Sequence, residues 1–124
     1  MGKRVHVIKK HAEYGNSEAF NWKYEEFNDL LGNLGCDMCH EDEDYDFFEC
    51  SVEDYKKALS LVNLYKRKGH TKSVEKKFDE ADADIFYFED NMNDLGGLDN
   101  ILNAMRAFYR ERDKKSNWIS FSAW

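Results

Sequence analysis

Proline is absent from this 124-residue sequence, which leaves its seven glycines as the main breakers of regular structure. There is no Pro-rich or Ser/Gly-rich stretch and no repeat, so no internal linker is visible, and residues 1–124 read as a single compact domain around one hydrophobic core. No segment approaches the roughly 20 consecutive apolar residues of a membrane-crossing helix. Behind the basic start stand only Val5 to Ile8, too few for the apolar region of an export signal, and the expected location is the cytoplasm. Gly2 follows Met1, but position 6 is His6 rather than the Ser or Thr that N-myristoylation prefers. Cysteine is scarce and odd in number, three in all, which suits a reduced protein better than a disulfide scaffold.

Positive charge is also in short supply. Lys and Arg number 18 against 25 Asp and Glu, a net charge of −7. A nucleic-acid binder needs a surplus of cations on its contact face, so no nucleic acid is expected as a partner, and no membrane. A protein with a basic surface fits better. The carboxylates concentrate at 37–49, where Asp37, Glu41, Asp42, Glu43, Asp44, Asp46 and Glu49 stand without a Lys or Arg, whereas 66–77 is basic. Either run can simply be a solvated face. Missing too are a Walker loop, a Gly-x-Ser-x-Gly elbow, a His-Glu-x-x-His pair and a dinucleotide fingerprint, so no enzyme class declares itself.

What the chain does have is an aromatic share of 15% within 42% hydrophobic residues, enough for a core rich in Phe and Tyr. Residues 4–10 alternate as a strand does. Ser17 is placed as an N-cap for a helix whose inner face carries Phe20, Tyr24, Phe27, Leu31 and Leu34, with Gly35 ending it. Residues 45–50 form a short aromatic strand, and Ser51 with Asp54 resembles a capping box opening a helix that closes on Lys66-Arg67-Lys68 and Gly69. Val74, Phe78, Ala81, Ile85, Phe88, Met92 and Leu95 recur at alternating spacings of four and three, which predicts one helix over 73–95 in preference to a strand at 85–88. Gly96-Gly97 breaks it before a further helix over 98–112 and a last strand over 118–124, expected to pair with the first. The predicted class is α+β, a sheet of about three strands against about four helices in the order β-α-β-α-α-α-β.

Three patches invite chemistry. Cys36-Asp-Met-Cys39-His40 with Cys50 offers thiolates for a tetrahedral zinc, His40 or His70 completing the set, but the usual second ligand pair is missing and free thiols are favoured. Cys-x-x-Cys-His is also the haem-attachment motif, a chemistry of exported chains. Asp42, Asp44 and Asp46 with Glu53 mimic a calcium loop, yet its required Gly is Phe47 and its apolar position is Glu49. An uncharted acid–base site can be drawn around His6, His11 and Glu13, though no spacing joins them. The reading preferred on sequence is therefore a non-enzymatic protein-binding module of inhibitor, immunity or antitoxin type, without cofactor or metal, presenting Asp42, Asp44 and Asp46 to a basic partner. A zinc domain on Cys36, Cys39 and Cys50 comes second, and an enzyme near His6, His11 and Glu13 third.

Overall fold

A computed structural model describes residues 5–10, 13–20, 23–40 and 47–123, giving backbone alone for residues 6, 8–10, 13–19, 40 and 123. Its elements follow in the order β1 (Val5–Lys10), β2 (Glu13–Ala19), α1 (Tyr24–Asn33), β3 (Cys39–His40), β4 (Phe47–Ser51), α2 (Val52–Lys68), α3 (Lys72–Glu80), α4 (Ile85–Asp94), α5 (Leu98–Glu111) and β5 (Trp118–Ala123). The class is α+β. Among the described residues the sheet has five antiparallel strands rather than three, ordered β2-β1-β5-β4-β3, and there are five helices rather than four. The last strand does lie beside the first, with Val7 opposite Phe121. Helix α5 covers β1 and β2, α2 covers β4 and β5, α3 rests on α2, and α1 packs against α4.

Two of the added elements come from polar, unpromising sequence. Glu-Tyr-Gly-Asn-Ser-Glu-Ala is a strand because it forms the sheet edge against β1, with two register irregularities, so the chain around Ser17 is extended and does not cap a helix. Phe20, at φ 60°, turns the chain out of β2, and α1 begins only at Tyr24. The stripe from Phe20 to Leu34 still points inward, but its first member lies outside the helix. Strand β3 is two residues long and owes its existence to pairing with β4, which no local pattern announces.

The predicted helix over 73–95 is two helices. At the end of α3 the Ala83 and Asp82 N–H groups donate to the Phe78 and Asp79 carbonyls at 2.9 and 3.1 Å, with Asp82 left-handed at φ 56°. That is a Schellman ending with Asp in the usual glycine position. Asp84 then restarts the chain, its Oδ1 accepting from the Phe86 and Tyr87 N–H groups at 3.0 and 3.1 Å. Residues 81–84 stand in for about one helical turn, so the apolar spacing continues across the break. Val74, Phe78, Ile85, Phe88 and Leu95 are all buried. The break is also where α1 docks: Asp84 N–H donates to the Asn33 carbonyl at 2.8 Å, and a Cβ on Gly35, at φ 93°, would stand 2.3 Å from the Ala81 carbonyl oxygen.

Phe27 is the hub of the core, its ring centroid 4.9 Å from Phe20, 5.4 Å from Phe121, 5.6 Å from Phe108 and 6.1 Å from Phe48. Tyr55 enters the same core by donating its hydroxyl to the Met105 carbonyl at 2.8 Å. Ser51 caps α2 as expected, accepting from Asp54 N–H at 3.1 Å. Asp54 does not close the box; its Oδ2 accepts from Asp37 N–H at 3.2 Å and so ties the segment after α1 to the start of α2.

Candidate functional site

Of the residues that chemistry singles out in the sequence, the structure brings the Cys36 and Cys50 side chains into hydrogen-bonding contact. Cys36 and Cys50 are buried, and Cys39 is exposed on β3. The Cys36 thiol donates to the Asp54 carbonyl at 3.6 Å. The hydrogen bond between Cys36 and Cys50, and then burial, push the Cys50 thiol far up, which disfavours its thiolate at neutral pH. Among the described residues no group of three or more His, Cys, Asp or Glu side chains is gathered for a metal ion. His40 lies in β3, with its side chain outside the description, as are those of His6 in β1 and Glu13 in β2. His11, Asp42, Asp44 and Asp46 lie outside the described residues.

A fourth region, unmarked by any motif, is assembled by the break between α3 and α4. Helix α4 turns Ile85, Phe88 and Asn91 inward, and the same 3.6-residue period turns Phe86, Tyr87 and Asp90 outward. Phe86 and Tyr87 are 62% and 61% exposed, adjacent, and held at the helix start by the Asp84 cap. Trp118, on β5, is the other large hydrophobic side chain exposed among the described residues. Exposed aromatic area in one patch is what protein interfaces use and what a solvated face does not need.

Each of the two rings borders a depression. Phe86 stands over a hollow of about 390 Å³ with Lys72, Lys76, Glu75, Asp79 and Asp84. Tyr87 forms one wall of a cleft of about 490 Å³ between α1 and α4, whose other walls include Asn28, Asp29, Gly32, Asn33 and Asn91. Asp29, Asp79, Asp84 and Asp90 are all exposed around the pair, and none forms an ion pair with a described residue. Inside the cleft Asn33 Nδ2 donates to Asn91 Oδ1 at 2.6 Å. Among the described residues two buried side-chain oxygens have no hydrogen-bond partner, Glu26 Oε2 and Asn28 Oδ1.

Behind Phe86 a polar cluster braces the corner. His70, after α2, sets its ring 5.2 Å from that of Phe86. Its Nδ1 lies 3.0 Å from Glu89 Oε2 on α4, and its Nε2 lies 3.2 Å from Glu75 Oε1 on α3. Both ring nitrogens face carboxylates, and those of Glu75 and then Glu89 raise the His70 pKa. The Tyr65 hydroxyl also donates to Glu89 Oε2 at 2.6 Å, and burial followed by that carboxylate pushes the phenol up to about 12. His70 thereby ties α3 to α4.

Sequence reasoning left Phe86 and Tyr87 out of the inward stripe of 73–95 and gave them no role. The one available signal was phase: Phe86 and Tyr87 fall between the inward positions Ile85 and Phe88. The chain matches no protein-family description, no curated protein and no solved structure at a significant level. No helix among the described residues is long and apolar enough to cross a membrane.

Proposed function

We propose that this chain is a non-enzymatic binding module that engages a basic protein surface through the start of α4. The observation that carries the reading is the exposed pair Phe86 and Tyr87, flanked by the exposed carboxylates Asp29, Asp79, Asp84 and Asp90, none of which forms an ion pair with a described residue. Aromatic anchors supply the buried centre of such an interface, and a carboxylate rim speeds encounter with a cationic partner and fixes its orientation. The net charge of −7 acts in the same direction. In this reading the anchor is on α4, and Asp42, Asp44 and Asp46 add to the negative charge that attracts the partner. An inhibitor, immunity protein or antitoxin, each of which covers a partner's functional face, has these needs.

The test compares the wild-type chain with Phe86→Ser/Tyr87→Ser as immobilised baits in an extract of the source cell, followed by association kinetics with each purified protein that distinguishes them. The expected result is a basic protein whose association slows steeply with salt and whose dissociation is faster from the double variant. Capture that is indifferent to both rings, or a partner without a basic surface, rejects the reading.

A further inference from the structure

We infer that the cleft between α1 and α4 is a socket for an arginine side chain of the partner, an inference that rests on the binding reading above and specifies its chemistry. The first observation is Asn28, which is 7% exposed, lines the cleft, and has an Oδ1 without any donor. Buried amide oxygens are almost always satisfied, so one left open beside a ligand-sized cleft calls for an incoming N–H. Asn33 adds a second acceptor, because its Nδ2 is spent on Asn91 and its Oδ1 has no partner among the described residues. Asp29 contributes a carboxylate at the rim.

The second observation is Gly32. It sits in the last turn of α1, where glycine weakens a helix, and a Cβ there would meet nothing within 4 Å. No packing contact requires the glycine. Gly32 lines the cleft, is exposed, and puts no side chain into it.

The chemistry of the walls then selects the occupant. Three oxygen acceptors and one exposed tyrosine ring suit a group that has many donors, no acceptor, a positive charge and a flat face. Guanidinium has all four, donating in a planar fork while stacking on Tyr87. An ammonium is compact and strongly hydrated, and cannot stack or reach several acceptors in one plane. A neutral amide has the wrong charge for Asp29.

The experiment titrates the 15N-labelled full chain with N-acetyl-arginine amide, its lysine counterpart and its citrulline counterpart, following the Gly32 amide and the side-chain amides of Asn28, Asn33 and Asn91 by NMR. Arginine is expected to move these signals at lower concentration than lysine or citrulline. Tyr87→Ala should weaken the response about three-fold, the worth of one exposed cation–π contact. Gly32→Leu, which fills open space, should abolish it with the melting temperature retained. An equal response to arginine and lysine, a response unchanged in Gly32→Leu, or shifts confined to Lys72, Lys76 and Phe86 overturns the socket. If Phe86-dependent capture of a basic protein survives that outcome, the binding reading stands without it; if both fail, both are rejected.

Discussion

Phe121 and Phe86 are the same residue type on opposite sides of one physical decision. Phe121, on β5, is fully buried, its ring 5.2 Å from Phe48, 5.4 Å from Phe27 and Phe108, and 6.0 Å from Tyr55. Phe86, on α4, is 62% exposed and meets only the His70 ring among the aromatic contacts of the described residues. The sheet-side core follows the rule that apolar area leaves water. The corner at α3 and α4 departs from it, with aromatic rings outside, three asparagines lining a cleft, and a histidine held between carboxylates. Departures of this kind gather where a surface is kept for another molecule.

The sharpest way to break this contrast is to truncate both rings. Phe121→Ala should cost about 3–5 kcal/mol in urea unfolding, the usual toll for emptying a phenylalanine site in a closed core. Phe86→Ala should stay within about 0.5 kcal/mol of the wild type, as surface changes do. Comparable losses would mean that the corner is core and that its exposure is no sign of function.

Much of the first region could be read directly. Periodicity identified Phe27, Leu31, Val74, Phe78, Ile85 and Phe88 as inward, and all are buried. Glycine chemistry marked the ends at Gly35 and Gly96, both at positive φ. Less was legible where long-range pairing overrides local preference. Strand β2 has the composition of a loop or helix start and becomes a strand only because β1 offers its edge. The break at 81–84 was hidden because it preserves the phase of the stripe, so the pattern alone cannot tell a continuous helix from an interrupted one. Asp82 and Asp84 were the available clue, since aspartate is at home in left-handed and capping positions and poorly suited to a helix interior. The cleft had no signal at all, because Asn28 and Asn91 lie 63 positions apart in sequence.

A second pair of substitutions sharpens the contrast with a smaller effect. Gly35→Ala puts a Cβ at φ 93° against the Ala81 carbonyl oxygen, where α1 meets the broken helix. Backbone strain and the clash together should cost about 2 kcal/mol or more. Gly32→Ala, three residues earlier and facing open space, should instead raise stability by about 0.5–1 kcal/mol. Thermal unfolding of the two variants decides between them. If Gly32→Ala is destabilising, that glycine has a structural duty.

The smallest effect belongs to His70, and its sign can be worked out from the contacts. The groups facing the imidazole are Glu75 from α3 and Glu89 from α4, with Tyr65 of α2 reaching it through Glu89 and Phe86 lying against the ring. The two carboxylates stabilise the protonated ring, so its pKa in the folded chain stands above the ordinary histidine value of 6.5. The unfolded chain has no such partners and titrates near that value. Below it both states hold the proton, and the brace contributes fully; as pH rises through the higher folded value the proton leaves, and the contribution is lost. Stability should therefore fall modestly on going from mildly acidic to mildly alkaline solution. The chain has three other histidines, His6, His11 and His40, so the informative quantity is the difference between wild type and His70→Gln. The melting temperatures of the two should converge as pH rises and separate as it falls, with the variant the less stable in acid. Salt should shrink the gap, because the brace is at the surface. A gap that widens with rising pH would show that the ring is held neutral and that the carboxylates do not govern it.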